Sequence, residues 1–212
     1  MKSDDVVRTG ISGLDDILMG GIPRTNVILV EGTTGSGKTI LGVEFIYRGI
    51  TEFNEPGIIV VFEVSPDKLV RDAASLGWDL AELQAQKKLQ IVFTSPQVLD
   101  QELRSADSLL LETAVEMKAQ RIFIDGIGLL RQASQTGPAL TATGPGSYRE
   151  LLQQLIEGLN RERLTAMLSH ELGGYPESQL TLEAAESLVD TVIKVKRSLS
   201  KRRIQRSIEI VK

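Results

Sequence analysis

The chain has 212 residues, of which 42% are hydrophobic and 25% charged, and its formal net charge at pH 7 is -4. These values are typical of a globular protein with one sizeable core, so we expect one domain over residues 1–212 and no main role in coating nucleic acid. The sequence has no cysteine, no apolar run of membrane-spanning length and no signal-peptide pattern, which together predict a cytoplasmic protein without membrane contact.

Short runs rich in β-branched residues predict strands that are buried on both faces of a sheet. In chain order they are NVILVE (26–31), GIIVVFE (57–63), LQIVF (89–93), RIFID (121–125) and LTAMLS (164–169). Stretches with helical spacing lie between them, including one over about 100–118 and one that starts near Ser147. This alternation predicts an α/β fold with a mostly parallel central sheet flanked by helices.

The two ends of the chain differ from this pattern. Residues 1–25 form a lead-in segment before the first strand. In residues 187–212, alternating apolar positions on both sides of the polar KRSLSKRR predict an antiparallel β-hairpin on one edge of the sheet, with its turn in the polar run.

Two stretches, 131–147 and 170–186, are broken by glycine and proline and predict long loops. Long loops in a compact domain usually have a function, which here would be to line a pore or contact a partner. Plain disorder is the alternative interpretation of both stretches.

The segment GTTGSGKT, between Gly32 and Thr39, matches the pattern of a phosphate-binding loop, or P-loop. It follows a predicted buried strand and precedes a predicted helix, as the mechanism requires, because backbone N–H groups and the helix N-terminus then point at phosphate oxygens. We expect Lys38 to bridge the β and γ phosphates of a nucleotide and the Thr39 hydroxyl to bind Mg²⁺. The predicted nucleotide-binding residues are Gly32, Thr33, Thr34, Gly35, Ser36, Gly37, Lys38, Thr39 and Ile40.

Two acids end predicted strands. Asp125 closes RIFID, where a carboxylate can hold Mg²⁺ together with Thr39; the alternative is an acid that caps the next turn. Glu63 closes GIIVVFE, and because parallel strands end on the same rim as the P-loop, it should face the γ-phosphate. A carboxylate in this position can come within reach of an attacking water, as a general base must, and an ordinary loop residue is the alternative.

These motifs and their surroundings resemble the KaiC family of RecA-like P-loop ATPases. The resemblance covers nearly the whole chain and lies in RTGISGLDDILMGGIP, EGTTGSGKT, GITEFNEPGIIVVFEVSPDKL, AASLGWDL, IFIDGIGLL and RRIQRSIEIVK. It implies a RecA-like fold, ATP and Mg²⁺ as cofactors, and slow ATP hydrolysis. It also implies a ring, usually a hexamer, with ATP between subunits and a conformational output that is passed to partner proteins.

The resemblance also assigns roles to residues of this chain. Glu63 matches the acid that activates water, but Val64 stands where the clock proteins of the family commonly have a second acid. Ser75 matches a serine near the nucleotide, with an ordinary helix C-terminal residue as the alternative. Lys212 matches a basic residue that reaches the γ-phosphate bound by a neighbouring subunit, with a solvated lysine near the chain end as the alternative.

The family contains kinases as well as ATPases, and two positions bear on the difference. Glu186 and Ser187 fall where the kinase half of the clock proteins has its phosphorylated pair, with Glu in the first place. The chain is thus more similar to the hydrolytic, N-terminal half, and autokinase activity is not expected. His170, the only histidine, ends a predicted strand and is a weak candidate for sensing the γ-phosphate.

Two other functions remain open at this stage. A DNA-binding ATPase related to recombinases is suggested by the basic residues Lys194, Lys196, Arg197, Lys201, Arg202 and Arg203, although such charges also protect a sheet edge. The two predicted loops, which could line a pore, contain almost no aromatic residues for base stacking, which disfavours nucleic acid as a partner. The second alternative function is a nucleotide-gated scaffold with little hydrolysis. It is suggested by Glu63, which has no acidic neighbour at position 64.

Overall fold

The computed structural model of the chain describes residues 5–104, 108–131, 145–173, 176–200 and 203–212. A sheet of seven strands runs through these residues in the order β5-β4-β6-β7-β3-β8-β9. All neighbouring strands in it are parallel except β8 and β9, which form an antiparallel hairpin at one edge. The strands are β3 (Val27–Gly32), β4 (Gly57–Val61), β5 (Leu89–Phe93), β6 (Arg121–Asp125), β7 (Thr165–Glu171), β8 (Thr191–Ser200) and β9 (Arg203–Ile210).

Helices cover both faces of this sheet. They are α1 (Leu14–Ile17), α2 (Lys38–Phe53), α3 (Pro66–Ala74), α4 (Leu80–Ala85), α5 (Pro96–Arg104), α6 (Leu109–Met117), α7 (Pro145–Arg161) and α8 (Pro176–Leu188), with a 3₁₀ turn at Ile127–Leu129. The lead-in segment adds a small antiparallel pair, β1 (Val6–Val7) and β2 (Ile22–Pro23). None of the helices in the described residues combines the length and apolar character that crossing a membrane requires.

The strands divide the core into two apolar layers because successive side chains point to opposite faces. On β3, Val27 and Leu29 face the layer under α5 to α8, whereas Ile28 and Val30 face the layer under α2 to α4. The other central strands alternate in the same way. The prediction of strands buried on both faces is therefore confirmed for β3, β4, β6 and β7, as is the hairpin at the edge. For β5 it is wrong, because this strand lies at the other edge of the sheet with Gln90 and Phe93 exposed.

Polar side chains define where several helices begin. Ser65 precedes α3 and accepts a hydrogen bond from the Lys68 amide at 3.4 Å, and Pro66 follows it at the first helical position. Ser108 caps α6 in the same way through the Leu111 amide. The single helix predicted over about 100–118 is wrong for this reason: α5 ends at Arg104, and Ser108 starts a new helix.

Three other predicted boundaries are also corrected. Strand β4 ends at Val61, so Glu63 lies two residues beyond the strand and not at its last position. Strand β8 extends through most of the polar run, and its pairing with β9 continues to Ser200 opposite Arg203. The hairpin begins at Thr191 and not at 187, because residues 187 and 188 belong to α8.

The loop predicted over residues 170–186 is wrong. Strand β7 continues to Glu171, and α8 occupies most of the remaining stretch. Among the side chains of α8 that the structure describes, the buried ones are Thr181 and Ala185, and Val189 is buried just beyond the helix end. This small, partly polar set is a weak pattern for predicting a helix. Of the other predicted loop, 131–147, residues 132–144 lie outside the described residues, and α7 already begins at Pro145.

Candidate functional site

The P-loop connects β3 to α2 in a tight path that depends on glycine. Gly37 has a left-handed backbone, with φ of 112°, and directly precedes the first residue of α2. A Cβ atom on Gly32 would lie 2.5 Å from the backbone oxygen of Val195 in the neighbouring strand β8. The hairpin therefore packs directly against the loop, and only glycine fits at this contact.

Lys38 lies inside the loop and is 8% exposed. Its ammonium donates hydrogen bonds to the backbone oxygens of Gly32 at 2.8 Å and Thr33 at 3.0 Å. Burial lowers the pKa of the Lys38 ammonium, while the carboxylates of Glu171 and Asp125 act in the opposite direction. The loop thus holds a desolvated cation at the place where phosphate charge would be bound.

A hydrogen-bonded network joins the ends of three elements beside Lys38. The Thr39 hydroxyl, on α2, donates to Asp125 Oδ2 at 2.8 Å, and the Ser169 hydroxyl, on β7, donates to Asp125 Oδ1 at 2.5 Å. The Gly126 amide in turn donates to Ser169 Oγ at 2.8 Å. Hydroxyl and carboxylate oxygens are the ligands that Mg²⁺ prefers, so Thr39 and Asp125 form a suitable pair for this ion.

A cavity of about 480 Å³ opens above this network. It brings together eight of the predicted site residues, namely Thr34, Gly35, Gly37, Lys38, Thr39, Ile40, Glu63 and Asp125. Glu63 is exposed in the cavity wall, and Val64 beside it is half-buried and packs against the core. Gly32, Thr33 and Ser36 belong to the loop but do not line the cavity.

Ser75 lies in an adjacent cavity of about 370 Å³ that shares Thr39, Ile40 and Val64 with the first. Its hydroxyl donates to the backbone oxygen of Asp72 at 2.6 Å at the end of α3. Trp78 also lines this second cavity, with its ring stacked on Tyr47 at 5.8 Å between centroids. Ser75 is thus next to the P-loop cavity without lining it.

Lys212 lines neither of these two cavities in its own chain. Its ammonium donates to the backbone oxygens of Val189 at 2.6 Å and Glu186 at 3.2 Å. These carbonyls lie at and just beyond the last turn of α8, where a cation is favourable. Ser187, in the same turn, accepts a hydrogen bond from Arg149.

His170 does not line the cavity, because the alternation along β7 points it to the other face of the sheet. Its Nε2 lies 3.1 Å from the Thr181 hydroxyl on α8, and the ring is 1% exposed. Burial lowers the pKa of His170 to about 4, so the ring is neutral at pH 7. Its neighbours Ser169 and Glu171 face the cavity instead.

The sequence interpretation missed four polar or backbone components of the cavity wall: Gly126, Ser169, Glu171 and Arg206. Ser169 could have been found, since it is the last residue of the predicted strand 164–169. Glu171 lay in the predicted loop, because the strand extends two residues farther than predicted. Arg206 gave no such signal. It lies on β9, and a Cβ atom on Gly37 would be 3.8 Å from its Cδ, so only the packing of the hairpin against the loop reveals it.

A model of the KaiC ATPase family matches residues 7–212 of the chain. The chain belongs to the KaiC family. Its fold is accordingly the RecA-like P-loop fold, and the resemblance inferred from the motifs is confirmed.

Individual relatives agree with this assignment. The chain is 34% identical over 211 residues to the circadian clock oscillator protein KaiC of Prochlorococcus marinus strain MIT 9313, a match that covers 96% of the chain and 40% of that protein. It is 33% identical to the KaiC protein of Synechococcus elongatus and 31% identical to the circadian clock protein KaiC2 of a Synechocystis strain. These matches cover 97% and 96% of the chain, and 39% and 35% of the two proteins. The chain therefore spans less than half the length of these KaiC relatives.

Proposed function

We propose that residues 1–212 form one ATPase domain of the KaiC type, which binds ATP with Mg²⁺ and hydrolyses it slowly. The observation that supports this most strongly is the hydrogen bond between Thr39 and Asp125 at the base of the P-loop cavity. A hydroxyl at the start of the loop helix and an acid at the end of a neighbouring strand are what magnesium-dependent nucleotide hydrolysis requires.

Each polar residue of the cavity would have a separate role in ATP hydrolysis. Bound Mg²⁺ would neutralise phosphate charge, and Thr39 and Asp125 would hold it. Lys38 would exchange its backbone acceptors for the oxygens of the β and γ phosphates. Glu63 would orient a water and accept its proton, and its exposed position in the wall leaves room for that water. Ser169 would keep the Asp125 carboxylate in one orientation.

The second cavity would receive the nucleoside part of ATP. It continues from the first through Thr39 and Ile40 and is lined by the aromatic ring of Trp78 and the hydroxyl of Ser75. An apolar wall with a few polar groups is typical of small-molecule sites. On this proposal Ser75 contacts the nucleoside and not the phosphates.

We also propose a homohexameric ring with ATP between subunits, in which Lys212 of one subunit reaches the γ-phosphate bound by the next. The lysine would then leave its acceptors at the end of α8, so nucleotide binding would be coupled to the packing of that helix. Such coupling is a route by which nucleotide state could change the binding of partner proteins. Autophosphorylation is not part of this proposal.

Phosphate release from ATP by the purified chain, with Mg²⁺ and with a chelator, tests the proposal. Glu63→Gln should keep ATP affinity within about twofold of wild type and lower turnover by about 10²-fold or more, since it removes only the general base. Glu116→Gln, an exposed change on α6 outside the cavity, should have no effect on either quantity.

Each result of this experiment has a clear meaning. Equal turnover in wild type and Glu63→Gln would contradict the role of Glu63. ATP binding without Mg²⁺-dependent phosphate release would support the scaffold function, and release that single-stranded DNA stimulates in a salt-dependent way would support the DNA-binding function. The mass of the assembly in ATP and in ADP, for wild type and Lys212→Ala, tests the ring.

A further inference from the structure

Glu171 is the last residue of β7 and lies directly beside the P-loop. It pairs in register with Gly32, and the amide of the next residue, Leu172, donates to the Gly32 oxygen at 3.0 Å. The Thr34 hydroxyl of the loop donates to Glu171 Oε1 at 2.5 Å. The P-loop thus holds a carboxylate of its own chain in the wall of the phosphate cavity.

The order of the strands places this carboxylate near one particular part of a bound nucleotide. In the sheet, β7 and β6 lie between β3, which leads into the P-loop, and β4, which leads to Glu63. A terminal phosphate that lies between the loop and Glu63 would be over the ends of β7 and β6, where Glu171 also lines the cavity. In the proposed binding mode Glu171 is thus beside this phosphate and farther from the nucleoside, whose proposed cavity it does not line.

The charge of Glu171 has the same sign as that phosphate. The carboxylate is close enough to Lys38 to oppose the effect of burial on the pKa of the ammonium. In the protein without nucleotide this is favourable, because Glu171 partly compensates the buried cation. A triphosphate brings further negative charge to the same place, whereas a diphosphate lacks the phosphate that would lie nearest to Glu171.

We propose that Glu171 determines how strongly the site discriminates between a nucleoside triphosphate and a nucleoside diphosphate. This inference rests on the proposed function. Glu171 bonds to Thr34 when no terminal phosphate is present and repels that phosphate when it is. It lowers the affinity for ATP relative to ADP, and so acts as a specificity-determining residue of the site.

The test is the affinity of the full chain for ATP and for ADP, measured by calorimetry for wild type, Glu171→Gln and Glu116→Gln, with Mg²⁺ and with a chelator. Glutamine has the same shape and still accepts the hydrogen bond from Thr34, so the variant removes only the charge. The ratio of the ADP to the ATP dissociation constant should rise about threefold to tenfold in Glu171→Gln, as expected for removing one nearby charge, with the ADP value within about twofold of wild type. The effect should be larger with the chelator, and Glu116→Gln should leave the ratio unchanged.

The possible contrary results separate the inference from the function on which it rests. Equal changes for ATP and ADP, or no change, would mean that Glu171 only supports the loop. A weaker affinity of Glu171→Gln for ATP in Mg²⁺ alone would mean that the carboxylate assists the metal. A wild-type chain that binds neither nucleotide would contradict the proposed function itself, whereas normal binding and hydrolysis with an unchanged ratio would contradict this inference alone.

Discussion

The Lys194 ammonium lies 2.8 Å from Oε1 of Glu31, a carboxylate with no exposed surface. The two residues are register partners on β8 and β3, and they face the same layer as α8. Glu31 directly precedes the P-loop, so this ion pair attaches the hairpin to the strand that carries the loop. Among the residues that the structure describes, Glu31 Oε2 has no hydrogen-bond partner.

Replacing Lys194 with Met should destabilise the fold because it leaves the buried Glu31 carboxylate without its cation. We expect the free energy of unfolding in urea to fall by about 3 kcal/mol. Lys196→Met is the matched control, since Lys196 lies two residues along the same strand and pairs with the exposed Glu209; it should cost less than about 1 kcal/mol. Equal losses in the two variants would contradict the structural importance of the buried pair.

Asp125→Asn should affect metal-dependent binding and leave metal-free binding intact. The amide can still accept the Thr39 or the Ser169 hydrogen bond, but it lacks the negative charge that attracts Mg²⁺. We expect the affinity for ATP in Mg²⁺ to fall by about 10-fold to 100-fold and the affinity measured with a chelator to change by less than about twofold. A variant that binds Mg²⁺ and ATP like wild type would mean that Asp125 is not the metal ligand.

His170 should make the protein less stable as the pH falls below its ordinary pKa of 6.5. The folded state keeps the ring neutral down to a pKa of about 4, whereas the unfolded state binds a proton near pH 6.5. Between these values the unfolded state holds more protons, so stability rises with pH, by about 3 kcal/mol from pH 4 to pH 7 for this one group.

His170→Gln removes this titration while keeping a polar partner for Thr181. The difference in unfolding free energy between wild type and His170→Gln should therefore change by about 3 kcal/mol across that pH range, in favour of wild type at the higher pH. Since the chain has one histidine, the imidazole signal in NMR reports the same pKa directly. A titration near pH 6.5 in the folded protein would contradict the buried position.

Gly42→Ala should destabilise the packing of α2 on the sheet. A Cβ atom at this position would lie 2.1 Å from the Phe123 ring on β6, which is fully buried. We expect a loss of about 1–3 kcal/mol in urea unfolding, as for other overpacked cores. Gly158→Ala, on α7, has its nearest contact at 3.2 Å from the flexible end of Leu111 and should change stability by less than about 1 kcal/mol. Similar effects of the two changes would be evidence against close contact between α2 and β6.

The sequence by itself determined the features that depend on local chain geometry. The P-loop is one contiguous segment, so the fixed spacing of its glycines, lysine and threonine is enough to recognise it. The buried strands were recognisable because strands covered on both faces are continuous apolar runs. Glu63 and Asp125 followed from the rule that parallel strands end on one rim, which needs no knowledge of strand order.

Tertiary structure decided everything that depends on which strands are neighbours and in what register. Because side chains alternate along β7, which lies beside β6, Ser169 contacts Asp125 whereas His170 points to the opposite face and contacts α8. Arg206 lines the cavity and Lys194 pairs with Glu31 because the hairpin packs against β3. Strand order and register result from the burial of the whole apolar surface at once, so no short segment of the chain contains them.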